Sequence, residues 1–205
     1  MPLSAPVPRK HLHTRSVTFQ GFDREDGMWD IEAHLTDAKT YPQDLYERGR
    51  LEPQQPIHDL WIRLTVDDQF MVRAVESTMD GTPTEECQGA KPPMQGLVGV
   101  NLGPGLRRAV DRVLGGTLGC THLRELVVNM ATVAYQLIPH GQRYRQGITA
   151  LPTGPEVTTP PFHVGRCIAW DVDGPVVARV YPQFVGWEPL RRVDKPRREG
   201  SQPLT

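Results

Sequence analysis

Gly-Met-Trp-Asp-Ile-Glu-Ala-His-Leu, residues 27–35, alternates apolar and polar side chains directly after an aspartate at position 26. Side chains two residues apart lie on the same face of a β-strand, so this alternation predicts a strand with one core-facing side. The Asp-Gly dipeptide is typical of a tight hairpin turn. Residues 17–22 precede that turn and supply the partner strand through Val17, Phe19 and Phe22. The sequence therefore predicts an antiparallel hairpin near the N-terminus.

A second hairpin follows along the chain. Residues 58–66 place a histidine and then aliphatic side chains at every second position, and an Asp-Asp turn at 67–68 leads into a returning strand, 70–77. In the returning strand we expect Phe70, Val72 and Ala74 to share the core-facing side. Residues 37–56 are polar, contain three prolines and are predicted to be a loop that covers a site.

Helical periodicity appears in the middle of the chain. A short helix is predicted from Gly103-Pro104-Gly105 to about Leu114. A longer one is predicted from about Cys120 to Leu137, ended by Pro139 and Gly141, because its apolar residues recur with helical spacing.

Residues 167–172 and 176–181, joined by Asp173-Gly174, predict a final β-hairpin. The order of elements predicts an α+β fold. Its antiparallel β-sheet is built from hairpins. A long helix in the C-terminal half of the chain and a shorter helix pack against the sheet, and the final β-hairpin comes last in the chain.

The composition sets the class of protein. A chain of 205 residues suits one domain, which we place at 15–187 between a flexible arm, 1–14, and a disordered tail, 188–205. The net charge of −1 gives no basic excess for nucleic acid or an anionic membrane. No apolar run is long enough to span a bilayer, and the proline-rich start has no apolar core, so we expect neither a membrane span nor a signal peptide. Three widely spaced cysteines indicate a reducing, cytoplasmic location. Apolar residues on the first hairpin are compatible with a homo-oligomer.

Three residues at the ends of predicted elements suggest a metal site. His58 begins a strand, Cys87 lies in the loop after the partner strand, and Cys120 begins the long helix. One imidazole and two thiolates suit tetrahedral zinc, with His122 or water as the fourth ligand, and iron is the second ion considered. Asp59 and His122 are the candidates for catalysis, where they would orient a ligand or carry a proton.

The same residues also have a structural interpretation. A free cysteine commonly behaves as a small buried hydrophobic residue, and a core-facing histidine is often simply hydrogen-bonded. On that interpretation Cys87, Cys120 and His58 only pack, and the chain is a metal-free binding domain.

Three stretches carry a resemblance to a bacterial protein family of unknown function: residues 27–32, residues 56–60, and Gly-Cys-Thr-His-Leu at 119–123. This resemblance covers most of the chain. Because the family offers no settled activity, it implies no substrate.

Residues 55–137 resemble, more distantly, the IscU and SufU iron–sulfur scaffold proteins and the wider NifU/SufE-like fold. The order is a proline-containing turn, a hairpin, a second ligand segment and a third ligand at the start of a long helix. In this resemblance His58 stands at the first cysteine, Cys87 at the second and Cys120 at the helix. This chain thus has a histidine, His58, at the position of the first scaffold cysteine. In the scaffold proteins the histidine precedes the helix cysteine, whereas here His122 follows Cys120.

These observations leave three functional hypotheses. The first is a zinc-binding domain or metal-dependent enzyme acting on a small molecule. The second is a sulfur or metal carrier, or a scaffold-like protein, that uses Cys120 and binds a partner protein. The third is a metal-free binding domain. Cysteine nucleophilic catalysis by Cys120 with a nearby histidine is a further possibility.

Overall fold

The structure is a computed structural model that describes residues 3–150 and 152–188. The main sheet has four antiparallel strands, which are β1 (His13–Asp23), β2 (Trp29–Lys39), β5 (Pro56–Val66) and β6 (Val72–Gly81), in that spatial order. A small two-stranded sheet of β3 (Gln43–Leu45) and β4 (Gly49–Leu51) lies between β2 and β5 in sequence. Three α-helices follow: α1 (Leu106–Leu114), α2 (Thr121–Arg145) and α3 (Pro175–Val180). The predicted α+β class is confirmed.

One face of the sheet forms the core, as the two-residue period predicts. The side chains at alternate positions of β2 and β5 are buried: Trp29, Ile31, Ala33 and Leu35, with Leu60, Ile62, Leu64 and Val66. In β6 the alternation of buried and exposed side chains is interrupted after Val72. The next buried side chain is Val75, and Ala74 is exposed. The pairing register shifts between Thr65 and Val66, which turns the following side chains over, so the prediction for Ala74 is wrong.

Helix α2 covers the core-facing side of the sheet. Its buried stripe has helical spacing and consists of Leu123, Leu126, Val127, Met130, Ala134 and Ile138. The predicted end at Leu137 is wrong, since the helix continues through Pro139 and Gly141. A proline removes one backbone hydrogen bond, and contacts on both sides of it offset that loss. Ile138 is fully buried, and the Arg145 guanidinium lies 3.8 Å from the centre of the Trp29 ring.

The loop predicted over residues 37–56 is shorter than expected. Strand β2 runs on to Lys39, and the small sheet of β3 and β4 uses part of the remainder. The loop predicted around Cys87 is partly regular, since β6 continues to Gly81 and two 3₁₀ turns follow, Glu85–Ala90 and Pro92–Leu97. Asp37 is consequently a strand residue.

The predicted final β-hairpin is wrong. No strand lies between residues 152 and 188, and residues 175–180 form α3 instead. Pro175 explains the difference, because a proline directly after a turn is well suited to the first turn of a helix.

The chain divides into two compact units, the first ending at Ile148 and the second beginning at Thr149. The second unit has its own apolar cluster, built from Val164, Val172, Val177, Tyr181 and Phe184. The sequence predicted a single domain over residues 15–187 and did not predict this division. The single domain stays a prediction. Strand β1 begins at His13, two residues before the predicted start of the domain. The predicted disordered tail lies, apart from Glu188, outside the described residues. Among the helices of the described ranges, none has the length and apolar character needed to cross a bilayer.

Gly141 provides a test of how α2 packs. A Cβ atom at this position would lie 2.4 Å from Cη2 of the buried Trp29 ring. Alanine is favoured over glycine in a helix by about 1 kcal/mol, but over-packing costs about 1–3 kcal/mol. We expect Gly141→Ala to lower the free energy of unfolding by up to about 2 kcal/mol, measured by urea denaturation. Gln136→Ala, at an exposed position of the same helix, is the control and should be nearly neutral. A Gly141→Ala protein as stable as the wild type would contradict this packing.

Candidate metal centre

Four elements meet at one end of the core-facing side of the sheet. In the antiparallel register Asp37 of β2 lies opposite Arg15 of β1 on one side and opposite His58 of β5 on the other. Helix α2 begins at the same end and brings His122 within 4.0 Å of the Asp37 carboxylate. Side chains distant in sequence are therefore gathered around Asp37.

The Asp37 carboxylate is the centre of this cluster, and its side chain is only 4% exposed. Its Oδ1 atom accepts hydrogen bonds from Nε of Arg15 at 2.9 Å and from Nε2 of His13 at 2.8 Å. Its Oδ2 atom accepts one from Nη2 of Arg15 at 2.8 Å and lies 3.2 Å from Nδ1 of His58. A buried charge is tolerated when it is paired and hydrogen-bonded in this way.

The hydrogen bonds decide the charge of Asp37. Burial by itself would raise the pKa of its carboxyl group, but the bonds from Arg15 and His13, with the charges of Arg15 and His58, lower the pKa to about 2. The bond to Asp37 in turn raises the pKa of Arg15. Near neutral pH the cluster therefore contains a carboxylate and a guanidinium.

Two imidazoles of the cluster, His58 and His122, lie against each other with ring centres 4.2 Å apart and planes tilted by 47°. Burial is the main cause that lowers the pKa of each ring. The charge of His122 further lowers the pKa of His58, and that of Arg15 lowers the pKa of His122, while Asp37 opposes both shifts. Both rings are therefore neutral near pH 7, which is the form that binds metal ions.

Asp37, His58 and His122 can each offer one ligand atom, and these atoms all lie within 4.8 Å of one another. Oδ2 of Asp37 is 3.2 Å from Nδ1 of His58 and 4.0 Å from Nε2 of His122. Ligand bonds of about 2.1 Å in tetrahedral geometry separate ligand atoms by about 3.4 Å. Small side-chain movements would bring the three atoms to that spacing. Two histidines and one carboxylate are a ligand set used for both zinc and iron(II).

Cys120 lies on the other side of His122, as the N-cap residue of α2. Its Sγ atom is 3.7 Å from Nδ1 of His122, whereas Nε2 of that ring is 3.0 Å from Nη2 of Arg15. Arginine has only donors, so Nε2 accepts and the ring proton is on Nδ1, directed towards the sulfur. The thiol thus contacts the nitrogen that faces away from Asp37.

The remaining predicted site residues lie apart from this cluster. Cys87, in the first 3₁₀ turn, contacts the Thr84 hydroxyl at 3.6 Å and packs against the hydrophobic core. Asp59 accepts a hydrogen bond from Nε2 of His34 at 2.7 Å, and the His34 ring stacks on Trp61. The structure therefore brings together His58 and His122 with Cys120 beside them, and does not add Cys87 or Asp59 to the group.

Sequence reasoning missed Asp37, Arg15 and His13, although a signal for two of them exists. Asp37 continues the odd-numbered, core-facing positions of β2 after Leu35, and a carboxylate there is unexpected in an apolar series. Counting back symmetrically from Asp26 places Arg15 opposite Asp37. The assignment of residues 37–56 to a loop concealed both.

Comparison with known proteins places the chain in a family. A search of curated proteins and a search of solved structures each give no match, so the resemblance to iron–sulfur scaffold proteins stays a prediction. The family described as Protein of unknown function (DUF2889) matches residues 13–136, which extend from the first residue of β1 into α2 and include the whole cluster. Because this match covers more than half of the chain, the protein belongs to the DUF2889 family.

Proposed function

We propose that the protein is a metal-binding domain in which Asp37, His58 and His122 hold a divalent ion. The observation that carries the proposal is the convergence of these three ligand atoms within 4.8 Å at the buried end of the sheet. Zinc is the ion we favour, and iron(II) is the other ion that this ligand set suits.

The protonation states support this proposal. The carboxyl group of Asp37 has a pKa of about 2, and both imidazoles have a lowered pKa. Near neutral pH these ligands need no net loss of a proton, but the Nδ1 proton that His58 donates to Asp37 has to move to Nε2 before Nδ1 can bind an ion. Three protein ligands leave a coordination position for water or substrate. A metal-dependent reaction on a small molecule is therefore the activity that the site would support.

Cys120 has a positioning role in this proposal and is not a ligand. A metal-bound histidine commonly donates its second ring N–H to an acceptor, which fixes the ring. The Cys120 sulfur, 3.7 Å from Nδ1 of His122, stands where that acceptor is needed. Asp59 takes no part in the proposed ion site, because it faces away from His58 and is hydrogen-bonded to His34.

A second candidate function, sulfur or thiol chemistry at Cys120, rests on the same contact. The Nδ1–H of His122 points at the sulfur, and the first turn of α2 adds unpaired backbone N–H groups. Both features direct N–H groups towards the sulfur, the atom that reacts in cysteine chemistry. A carrier that accepts sulfur from a partner protein would use such a thiol.

Metal content tests the main proposal. In protein purified without chelators we expect about one zinc per chain by elemental analysis, because three ligands bind one ion. His58→Ala and His122→Ala each remove one ligand and should lower the affinity by more than about 100-fold, beyond the 10–100-fold lost with outer partners.

The control for this measurement is Cys87→Ser, which should keep the wild-type metal content. Circular dichroism verifies that the variants are folded. If Cys87→Ser loses the metal while folded His122→Ala keeps it, the cluster around Asp37 is not the site.

The two substitutions of Cys120 separate a positioning role from a ligand role. Cys120→Ala removes the acceptor of the Nδ1–H and should weaken zinc binding by about 10–100-fold. Serine supplies an oxygen acceptor, so Cys120→Ser should recover most of that loss in a competition titration with a chromophoric chelator. Loss of binding by both variants as severe as in His122→Ala would make Cys120 a direct ligand.

Alkylation rates test the thiol chemistry. In metal-free protein at pH 7 we expect iodoacetamide to modify Cys120 faster than Cys87, which has a similar, intermediate exposure. His122→Gln should slow modification of Cys120 and leave Cys87 unchanged, as read by peptide mass mapping. Equal rates at the two cysteines would count against the second candidate function.

A further inference from the structure

Arg15 occupies the position that a metal ion would need. Its Nη2 atom lies 2.8 Å from Oδ2 of Asp37 and 3.0 Å from Nε2 of His122. Those two acceptor atoms are the ones that face each other in the proposed ion site. The guanidinium therefore takes the place of a cation between them.

An ion and this hydrogen bond exclude each other. The neutral imidazole of His122 has a single lone pair on Nε2, which either accepts the N–H of Arg15 or binds a metal. Two cations at such short distance also repel each other strongly. The Arg15 side chain is 40% exposed and can turn towards solvent. Its Nε bond to Oδ1 of Asp37, at 2.9 Å, does not use an ion-facing atom and can persist.

When an ion displaces Nη2 of Arg15, that end of the guanidinium has lost its hydrogen-bond acceptors. It then lies beside an ion with an open coordination position. A guanidinium offers its donors in a planar fork that matches the oxygens of a carboxylate or phosphate group. An oxyanion can bind the ion through one oxygen and accept from Arg15 through another. Glu125 is the acidic side chain whose charge also acts on Arg15, and it is the competitor for the released guanidinium.

We infer that the ion-loaded site binds a small oxyanion, a carboxylate or phosphate group held between the metal and Arg15. This inference rests on the proposed metal site and names the class of ligand that it takes. Arg15 then has two opposed effects. It competes with the ion in the absence of the anion, and it helps to hold the anion once the ion is bound.

The test uses the full chain loaded with Co²⁺, whose visible spectrum reports a change of ligands. Acetate and methylphosphonate are the oxyanion probes, and acetamide is the uncharged control. In the wild type we expect at least one oxyanion to change the spectrum in a saturable way and acetamide to have no effect at the same concentrations. The probe that binds more tightly shows whether the site prefers a carboxylate or a phosphate group.

Arg15→Gln should change the affinities for Co²⁺ and for the oxyanion in opposite directions. Because the competing cation is removed, we expect Co²⁺ to bind more tightly without an anion, whereas the oxyanion should bind about tenfold more weakly. Arg15→Lys keeps the charge without the planar fork, so its Co²⁺ affinity should stay near the wild-type value while the oxyanion still binds more weakly.

Each other outcome overturns the inference. Weaker binding of both Co²⁺ and oxyanion by Arg15→Gln and by Arg15→Lys would make Arg15 a structural residue. Unchanged oxyanion affinity in both variants would show that Arg15 does not contact the anion, as expected if it turns to Glu125. Failure of the folded wild type and of Arg15→Gln to bind Co²⁺ would overturn the metal site itself, and the inference with it.

Discussion

The buried carboxylate of Asp37 is the constraint on which this end of the structure depends. An unpaired charge in a protein interior costs several kcal/mol, and the Asp37 side chain is only 4% exposed. Its pairing requires Arg15 from β1 and His58 from β5, the residues directly opposite it in the two strand pairings. The register of three strands and the charge balance of the site are thus tied to one side chain. The other end is held differently, by Trp29, Gly141 and Arg145.

A cluster that holds a carboxylate with a guanidinium is not by itself a metal site, because structural ion-pair networks use the same groups. The feature that supports the proposed metal site is the pair of imidazoles, His58 and His122, beside this carboxylate. A purely structural network would gain from protonated histidines next to Asp37, yet burial lowers the pKa of both His58 and His122. The carboxylate is therefore balanced mainly by Arg15, whose side chain is 40% exposed, and each neutral ring keeps one lone pair.

The sequence predicts the parts of the fold that depend on local period. The alternation of residues 29–35 and the Asp-Gly turn are sufficient for the first hairpin, and the stripe from Leu123 to Leu137 is sufficient for most of α2. Prediction was wrong where tertiary contacts outweigh local signals. The contacts of Ile138, just before Pro139, and of Arg145, after it, keep α2 helical through the proline, and Pro175 starts a helix where aliphatic residues suggested a strand. For the candidate site, His58 and Cys120 were selected because they stand at element ends, and His122 was named beside Cys120 as a possible fourth ligand, whereas Asp37 was assigned to a loop.

The two proposed activities share one imidazole, and the chemistry of that ring determines how they are related. In the metal-free cluster Arg15 donates to Nε2 of His122, which places the ring proton on Nδ1, next to Cys120. An ion bound at Nε2 would require the same tautomer, because a metal also needs the lone pair of that nitrogen. The Cys120 sulfur therefore meets the same N–H whether a guanidinium or a metal lies on the far side of the ring. Exchange of one cation for the other changes what binds near Asp37 without changing the hydrogen bond to the thiol, so a metal function and a thiol function can coexist on α2.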